Sequence, residues 1–335
     1  RKFHRRLKGV AHLIAASILN RDLDILPQDR IDANGSAKFR PYLSFDEILE
    51  TVDSHSVSGI IEMVSDELGI PARTLEEFPY EYCGRSMEAC SYFDVLKDLK
   101  DNIAHYDWVY DRLADNASRK VYTNLIYYRL LPIIDFINLA YDPKHPKYFD
   151  KDILQLNSEE VFVDCGGYSG ETAKSFIREV GTYKKIYVYE PSGEFVRECR
   201  KNLAGYPDVD IRNACLGVGT HEIAVLATER KNDKELPCGR KRSELSRVVS
   251  LDKDLQDPIT FLKLDVRCAT VGALKGAKGH IGKDRPKMAV NACSVLSDIW
   301  EVPKTIYSID QGFDFYIRHY ERNFVWETVV YAVPF

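Results

Sequence analysis

The sequence lacks cysteine pairs that would indicate a disulfide scaffold or a common zinc motif. Its eight cysteines are scattered over 335 residues, and no two of them form a C-x-x-C pair. Reduced thiols are the default for such a pattern, so we expect a cytoplasmic protein.

The sequence also lacks an apolar run long enough to cross a bilayer. The longest runs are VAHLIAASIL at 10–19 and LLPIIDFINLAY at 130–141, whereas a membrane-spanning helix needs about 20 apolar residues. Basic residues before the first run resemble a signal peptide, but no small-residue cleavage site follows, so an amphipathic helix is predicted there. We expect no stable membrane insertion.

An excess of positive charge is the third missing feature. The 51 acidic and 46 basic side chains leave a formal net charge of -5. This balance gives no long-range attraction to nucleic acid or to an anionic membrane. Nucleic acid is therefore not the expected partner, and the sequence predicts no oligomeric state.

Two patterns divide the chain near residue 155. Residues 1–155 carry apolar side chains at helical spacing and predict a mainly helical domain, in which Asp115 or Asn116 caps one helix and Pro132 interrupts it. From 156 to 335, strand-like and helix-like runs alternate, which predicts an α/β domain with a mostly parallel sheet. The last two strands have no helix between them and are expected to form an antiparallel hairpin.

The strand-like runs of the second part are VFVD, KIYVYE, DIRNACL, EIAVLA, TFLKLDV, KMAVNAC, FDFYIRHYE and FVWETVVYAVPF. A polar, locally basic segment at 228–245 interrupts the series. It is either a solvated loop or a loop that faces a substrate.

A glycine turn follows the first of these strands. VFVDCGGYSGET places Asp164 at the strand end, then Gly166, Gly167 and Gly170, and then the start of a helix. Ligands of open α/β sheets bind at the carboxyl ends of strands, where glycines let the backbone approach them closely. The alternative is a turn that only connects strand and helix.

Two acids near this turn discriminate between cofactors. Glu190 ends the next strand, twenty residues after Gly170, where a carboxylate can accept hydrogen bonds from both ribose hydroxyls of an adenosine ligand. Asp164 would repel the pyrophosphate of NAD but attract the ammonium and sulfonium of S-adenosylmethionine. The pattern therefore favours S-adenosylmethionine, with an NAD-linked enzyme as an alternative.

The predicted cofactor-binding residues lie on the turn and around the ends of the next two strands. They are Asp164, Gly166, Gly167, Ser169, Gly170, Thr172, Glu190, Pro191, Asn213 and Ala214. For Asn213, a bond to local backbone is an equally good interpretation.

Several motifs taken together resemble the FkbM-type S-adenosylmethionine-dependent methyltransferases. They are VFVDCGGYSGET, YVYEP, VVSLDKDL, FLKLDV with ALKGA, RPKMAV, LSDIWEVP and ETVVYA, with SRKVYTNLIYYRL and KYFDKDI upstream. The resemblance covers 156–335 in order and implies the class I methyltransferase fold, a Rossmann-like seven-stranded sheet with one reversed strand. It also implies methyl transfer to a hydroxyl of a sugar or a glycosylated small molecule.

Five positions depart from the family pattern at two strand tips. The family usually reads D-x-E-G-x-E where this chain reads DVRCAT, with Arg267, Cys268 and Thr270, and Cys293 and Ser294 stand where an aromatic residue and a histidine are common. Arg267 either binds an anionic acceptor or forms an ion pair with Asp265. The changes leave open a catalytically impaired protein that binds the cofactor as a scaffold.

Methyl transfer to a hydroxyl usually needs a base. Asp265, at the end of the strand FLKLD, is the first candidate, and Asp298 and Lys263 follow it. A helix cap is the alternative role for Asp265.

Three thiols end neighbouring strands in the class I strand order: Cys165, Cys268 and Cys293. Their sulfurs are therefore expected near one edge of the sheet. Neutral buried thiols are the main interpretation, and a soft metal site or a redox pair is the alternative. No metal site is predicted.

Overall fold

The computed structural model describes residues 44–77, 79–80, 90–132, 134–142, 144–226, 243–266, 269–322, 324–325 and 327–335. Three predicted features lie outside the described residues: the amphipathic helix near residue 10, the polar segment up to residue 242, and Arg267 with Cys268. Within the described residues, no helix combines the length and apolar character needed to cross a membrane.

The described residues before position 155 are mainly helical, as predicted. Their helices are α1 (Phe45–Ser54), α2 (Val57–Leu68), α3 (Ala72–Glu76), α4 (Tyr92–Asp101), α5 (Ile103–Asp111), α6 (Asn116–Leu130) and α7 (Ile134–Ala140). The short antiparallel strands β1 (Pro79–Tyr80) and β2 (Cys90–Ser91) lie among them.

Capping residues set where these helices begin. Ser44 and Ser91 form capping boxes at the starts of α1 and α4. Asp115 caps α6, accepting a hydrogen bond of 2.6 Å from the Ser118 N–H, so the predicted cap is confirmed. Pro132 follows the end of α6 and separates it from α7, because proline lacks the N–H that a continuing helix needs.

A seven-stranded sheet forms the second part, in the order β11-β12-β10-β9-β3-β4-β5. Its strands are β3 (Val161–Cys165), β4 (Lys185–Tyr189), β5 (Val209–Arg212), β9 (Phe261–Leu264), β10 (Lys287–Asn291), β11 (Phe313–His319) and β12 (Thr328–Pro334). β12 runs opposite to the other six strands of this sheet, and its pairs with β10 and β11 are antiparallel. The predicted fold class and the C-terminal antiparallel hairpin are confirmed.

Helices cover both faces of this sheet. They are α8 (Glu171–Val180), α9 (Gly193–Leu203), α10 (Leu251–Asp254), α11 (Thr270–Gly276), α12 (Lys278–Asp284) and α13 (Asp298–Ile309). Since strand side chains alternate between faces, Val163 and Leu262 belong to a hydrophobic cluster that includes α1 to α7, whereas Phe162 and Phe261 belong to a cluster with α8 and α9. The larger cluster holds residues from both sides of position 155, so the division into two domains there stays a prediction.

A small second sheet corrects part of the strand prediction. It has the order β6-β8-β7, with β6 (Ala214–Leu216), β7 (His221–Leu226) and β8 (Ser243–Val249). The run DIRNACL is not one strand, because the chain leaves the large sheet after Arg212 and enters the small one at Ala214. The run EIAVLA also belongs to the small sheet.

The helical part covers the edge strand β11. Ala114 N–H donates to the Phe315 carbonyl and Asp142 N–H donates to the His319 carbonyl, each at 2.9 Å. The buried guanidinium of Arg318 donates to Ser118 at 2.8 Å and to Asp115 at 2.6 Å. This edge therefore pairs with the helical part of the chain itself.

Candidate functional site

The candidate site lies at the carboxyl ends of β3 and β9, the strands between which the chain order reverses. From β3 the chain continues outward to β4 and β5 on one side, while β9 and β10 lie on the other. Ligands of open α/β sheets bind in the crevice at such a reversal. The side chains at these strand tips are therefore the ones that matter for function.

The glycine turn after β3 folds closely against the neighbouring strand tips. Gly166 and Gly167 both donate their N–H groups to the Tyr189 carbonyl at the end of β4, at 2.9 and 3.1 Å. A Cβ on Gly166, which has a φ of 76°, would overlap the Asp265 carbonyl oxygen, and one on Gly167 would overlap Val188. Only glycine fits at these two positions.

Asp164 and Lys263 form a buried ion pair beneath the turn. They are direct partners in the parallel register of β3 and β9, so their side chains share one face. The Lys263 ammonium donates to Asp164 Oδ1 at 2.9 Å and to the Gly166 carbonyl at 2.8 Å. It thereby fixes both the acid and the turn.

Burial and pairing act against each other in this pair. Burial raises the pKa of Asp164, while the Lys263 ammonium opposes that rise. Burial alone would lower the pKa of Lys263, but Asp164 and Asp265 outweigh it and the pKa is raised. We conclude that Lys263 is an ammonium that supports the turn, so the geometry gives no separate support to its predicted catalytic role.

This pairing corrects the charge argument made from the sequence. Asp164 was expected to act as an uncompensated negative charge, but the Lys263 ammonium balances it. Its second oxygen, Oδ2, is buried and makes no hydrogen bond of ordinary geometry to the described residues. The Ala173 N–H on α8 is nevertheless close enough to the carboxylate to oppose the rise of its pKa. The Oδ2 atom lies 3.8 Å from the place where a Cβ of Gly167 would stand, so it is buried directly against the turn.

Glu190 is a buried carboxylate at the end of β4. Its two oxygens accept hydrogen bonds from Ser192 N–H and Tyr168 N–H, each at 2.9 Å. Burial raises its pKa, and these two backbone donors partly offset the effect. The carboxylate is thus held beside the glycine turn, which is the place expected for a ribose contact.

Asn213 bonds to local backbone. Its side-chain amide donates to the Glu190 carbonyl at 3.1 Å and to the Pro191 carbonyl at 2.9 Å. This is the local alternative weighed for it from the sequence, and it fixes the chain at the point where it changes sheets. Ala214, the next residue, is buried at the start of β6.

The other predicted cofactor residues lie around the start of α8. Gly170 caps this helix with a φ of 88°, and Thr172 is its second residue. The Ser169 carbonyl accepts a hydrogen bond of 2.9 Å from Asn202 on α9. These contacts close the turn against both helices.

Asp265 lies at the tip of β9 and contacts residues from outside the sheet. Its Oδ2 accepts a hydrogen bond of 2.7 Å from the Tyr148 hydroxyl and lies 3.7 Å from the Lys147 ammonium. Lys147 also forms an ion pair with Glu327, just before β12. Burial and then Asp265 raise the pKa of Tyr148 well above its usual value, so its hydroxyl stays a donor.

Lys147, Tyr148 and Glu327 were not predicted as site residues. Lys147 and Glu327 are separated by 180 positions in the chain, so only the folded structure brings them together. Tyr148 and Glu327 have positive φ angles of 71° and 80°. The one available signal was the position of Lys147, Tyr148 and Glu327 within or beside the motifs KYFDKDI and ETVVYA.

Asp298, the second catalytic candidate, organises a loop. It begins α13, and its Oδ2 accepts hydrogen bonds from Ser294 N–H at 2.8 Å and Val295 N–H at 3.0 Å. Burial raises its pKa to about 6. The geometry therefore gives this carboxylate a structural task after β10.

The described positions that depart from the family pattern are buried. Thr270 donates to the Val266 carbonyl at 3.2 Å, and Ser294 bonds to Asp298. The Cys293 thiol donates to Asn291 Oδ1 at 2.7 Å and accepts from Glu327 N–H at 3.2 Å. These side chains hold the loops around the tips of β9 and β10.

The thiols of the described chain support no metal cluster. The metal-type group found among these residues is His145, Asp150 and Asp152, without cysteine. Burial raises the pKa of Cys165, which makes it a neutral thiol. Cys268, the third member of the proposed group, lies outside the described residues.

The sequence matches no protein-family model and no curated protein. The structure is similar to methyltransferase FkbM from Methylobacillus flagellatus KT, with a TM-score of 0.64 and 23% identity over 81% of this chain and 69% of the other. Fibrillarin from Aeropyrum pernix, with natively bound S-adenosyl-L-methionine, gives a TM-score of 0.37 and 14% identity over 55% of this chain and 71% of its own. The TM-score of 0.64 shows a shared fold, as the motif resemblance implied. The TM-score of 0.37 is too low to support a conclusion.

Proposed function

We propose that this protein is an S-adenosylmethionine-dependent methyltransferase that acts on a hydroxyl of a sugar or glycosylated small molecule. The observation that carries the proposal is the crevice between β3 and β9, where a glycine turn lies against the buried Asp164 carboxylate and the Glu190 carboxylate. The fold shared with FkbM supports it.

The residues around the turn fit the two ends of this cofactor. Glu190 would accept hydrogen bonds from ribose hydroxyls, and Asp164 Oδ2 would accept one from the ammonium of the methionine end. S-adenosylmethionine, when bound, supplies an electrophilic methyl group. Since the donor is already reactive, the protein contributes mainly orientation and removal of a proton.

Asp265 is the proposed base. Its carboxylate is partly open to solvent at the tip of β9, beside the turn, and Tyr148 fixes its orientation. The acceptor hydroxyl would lose its proton to this carboxylate as the new oxygen–carbon bond forms. Lys263 and Asp298 are assigned structural tasks in this proposal.

Calorimetry and a product assay test the proposal on the full chain. We expect S-adenosylmethionine to bind more tightly than NAD, and S-adenosylhomocysteine to accumulate only when a sugar acceptor is added. Tighter binding of NAD would contradict the cofactor assignment.

A cofactor-binding scaffold without turnover is the second candidate. It is favoured by Thr270 and Ser294, which cannot act as bases at neutral pH and stand where the family has an acid and a histidine. Binding of S-adenosylmethionine together with no product from any acceptor would support it. Replacing Asp265 by Asn separates the two cases, because only an active enzyme loses turnover.

A further inference from the structure

Three metal-type side chains lie together in the segment before β3. His145, Asp150 and Asp152 place one imidazole nitrogen and two carboxylate oxygens within 4.8 Å of one another. All three belong to residues 144–154, where the backbone forms neither helix nor strand. This group is here called the His145 cluster, and the proposed function gives it no role.

The separations within the His145 cluster are those of ligands on one metal ion. His145 Nε2 lies 3.3 Å from Asp152 Oδ2 and 3.7 Å from Asp150 Oδ1. Two ligand atoms on a tetrahedral zinc ion are about 3.4 Å apart, since each bond to the ion is about 2.1 Å long. Small side-chain movements would therefore bring all three atoms onto one ion.

His145 Nε2 is a buried nitrogen whose bonding is incomplete. It makes no hydrogen bond of ordinary geometry to the described residues, although carboxylate oxygens of Asp150 and Asp152 lie close to it. A buried polar atom is costly to leave unbonded. A metal ion between the three side chains would bind this nitrogen directly, so the geometry suits coordination better than a hydrogen bond.

Asp150 is held in place before any ligand binds. Its carboxylate is buried, with Oδ2 accepting a hydrogen bond of 3.2 Å from Arg318 and Oδ1 accepting one of 2.9 Å from Asp152 N–H. A second lone pair of Oδ1 remains for a metal. Because such outer contacts orient metal ligands, the His145 cluster has one rigid ligand on which the other two can close.

The ion pairs around the His145 cluster involve more acids than bases. Four carboxylates pair there with the Arg318 guanidinium or the Lys144 ammonium: Asp115, Asp142, Asp150 and Asp152. In the part of the chain that the structure describes, no other lysine or arginine forms an ion pair with these four acids. With a neutral His145, a divalent ion would supply two further positive charges.

We propose that His145, Asp150 and Asp152 bind one divalent transition-metal ion, with zinc as the best-fitting ion. One imidazole and two carboxylates suit zinc and its neighbours, whereas magnesium and calcium take oxygen ligands. Asp152 is 52% exposed, so the ion, with a water as fourth ligand, can enter from solvent. No metal site was expected from the sequence.

The Lys144 ammonium competes with a metal for Asp152. It donates to Asp152 Oδ2 and, ahead of His145, holds the pKa of that carboxyl below its usual value. The lysine side chain is 64% exposed, and exposed pairs of this kind contribute little to stability. A metal ion can therefore displace the ammonium at small cost, and removal of Lys144 should favour binding.

Metal binding would fix the segment that carries Tyr148. This tyrosine lies between His145 and Asp150 in the chain, has a φ of 71°, and donates to Asp265 at 2.7 Å. An ion shared by His145 and Asp150 closes the segment into a loop and restricts its movement. The metal therefore has a structural role beside the proposed base, and its site does not depend on the proposed methyltransferase activity.

Calorimetry with zinc chloride tests the site on the full chain after removal of metal. We expect one tightly bound zinc ion per chain, and a rise in melting temperature of about 5 °C at a hundredfold excess over the dissociation constant. Magnesium and calcium should give neither effect. Hydrogen exchange of the backbone amides of residues 144–152 should slow about tenfold when zinc binds.

Cobalt in place of zinc reports which atoms hold the ion. Nitrogen and oxygen ligands give weak visible absorption, whereas cysteine ligands add a strong band from the thiolate. We expect the visible absorption without the thiolate band, because the His145 cluster contains no cysteine.

Three variants should change zinc affinity in two directions. His145→Ala and Asp152→Asn each remove a ligand and should weaken binding at least about a hundredfold. Lys144→Met removes the competing ammonium and should strengthen binding up to about fivefold. Since loss of structure would only weaken binding, tighter binding by Lys144→Met cannot come from misfolding.

Matched controls remove a histidine and an acid outside the His145 cluster. His55→Ala removes an exposed histidine after α1, and Glu179→Gln removes the partner of Lys151, which lies between the two aspartates. Both should leave the dissociation constant of zinc within about twofold. The melting temperature of each metal-free variant should match that of the metal-free unmodified chain within a few degrees.

Three results would overturn the inference. Failure to bind zinc at about 1 mM would remove the site. Binding that His145→Ala and Asp152→Asn leave unchanged, or a thiolate band with cobalt, would place the ion elsewhere in the chain. Equal binding of magnesium would contradict the choice of a transition metal. Loss of binding in both ligand variants, with tighter binding by Lys144→Met, would support the site.

Discussion

Lysine side chains meet acids on both sides of the crevice, but in different surroundings. On the β3 side, Lys263 and Asp164 are 1% and 0% exposed, and the ammonium also binds the carbonyl of the turn. On the β12 side, Lys147 and its partners remain partly open to solvent. A buried ion pair is costly to break, whereas an open one contributes little to stability. The first side is therefore built for a fixed shape, and the second leaves charges available to a ligand.

The largest effect is expected from Lys263→Met. It leaves the Asp164 carboxylate buried without its ammonium, and breaking such a pair costs about 3–5 kcal/mol of unfolding free energy. Urea denaturation measures the loss. The double variant Asp164→Asn with Lys263→Met should regain part of the lost stability. If Lys263→Met alone were as stable as the unmodified chain, the buried pair would contribute no more to stability than the partly exposed pairs of Lys147.

Gly166→Ala should be the next most damaging change. The new Cβ would overlap the Asp265 carbonyl, and the φ of 76° is unfavourable for alanine, so we expect a loss of about 2–4 kcal/mol and weaker cofactor binding. Gly219→Ala is the control, because Gly219 has a φ of 77° but open space around it. Equal losses for the two variants would show that the close approach at Asp265 does not matter.

Asp298→Asn tests whether the buried Asp298 carboxyl, which accepts hydrogen bonds from the loop after β10, makes stability depend on pH. The folded-state pKa is about 6, above the ordinary value of 3.8, so the folded state holds the proton more tightly. The stability from this group is present below about pH 4 and is lost as the pH rises through 6. The unfolding free energy of the unmodified chain minus that of the variant should fall by at most about 3 kcal/mol between pH 4 and pH 7.

A second buried group titrates in the same range with the opposite sign. Burial lowers the pKa of His319 to about 4 from 6.5, so its neutral form stabilises the folded state above pH 6.5, and that contribution is lost as the pH falls towards 4. Because both chains keep His319, its effect cancels in the difference between them. A difference that does not change with pH would contradict the raised pKa of Asp298 in the folded protein.

The smallest effect on stability is expected from Lys147→Met, the same substitution on the open side. Its ion pairs are partly solvated, so the unfolding free energy should change by less than about 1 kcal/mol. Denaturation under the conditions used for Lys263→Met gives the direct comparison. If Lys147→Met lost as much unfolding free energy as Lys263→Met, both lysines would be needed for stability and the two sides of the crevice would not differ.

The sequence was sufficient for the architecture because alternating strands and helices allow few arrangements. The parallel direction of β3, β4 and β9, the hairpin of β11 and β12, and the cap at Asp115 follow from local patterns. The order of the strands was implied only by the family resemblance. The split of DIRNACL between two sheets was missed, because its continuous apolar pattern fits a single strand as well. Nothing local marks Asn213 as the point where the chain changes sheets.

The chemistry at the strand tips depended on contacts between distant residues. Pairing of Asp164 with Lys263 requires the register of β3 and β9, which the sequence does not fix. The contacts of Lys147 with Glu327 and Asp265 join segments that are far apart in the chain. Individual acids could thus be located from the sequence, whereas their charge balance could not.

The helices that cover β11 limit how this protein can be shortened. Ala114 and Asp142 supply N–H groups to the Phe315 and His319 carbonyls of that strand, and Arg318 is satisfied by Asp115 and Ser118. A fragment starting at residue 156 would present the seven-residue edge strand β11 with open hydrogen-bonding groups and with the Arg318 guanidinium separated from its acidic partners. Such an edge adds strands from other molecules. Insoluble aggregates are therefore the expected product of expressing the sheet alone.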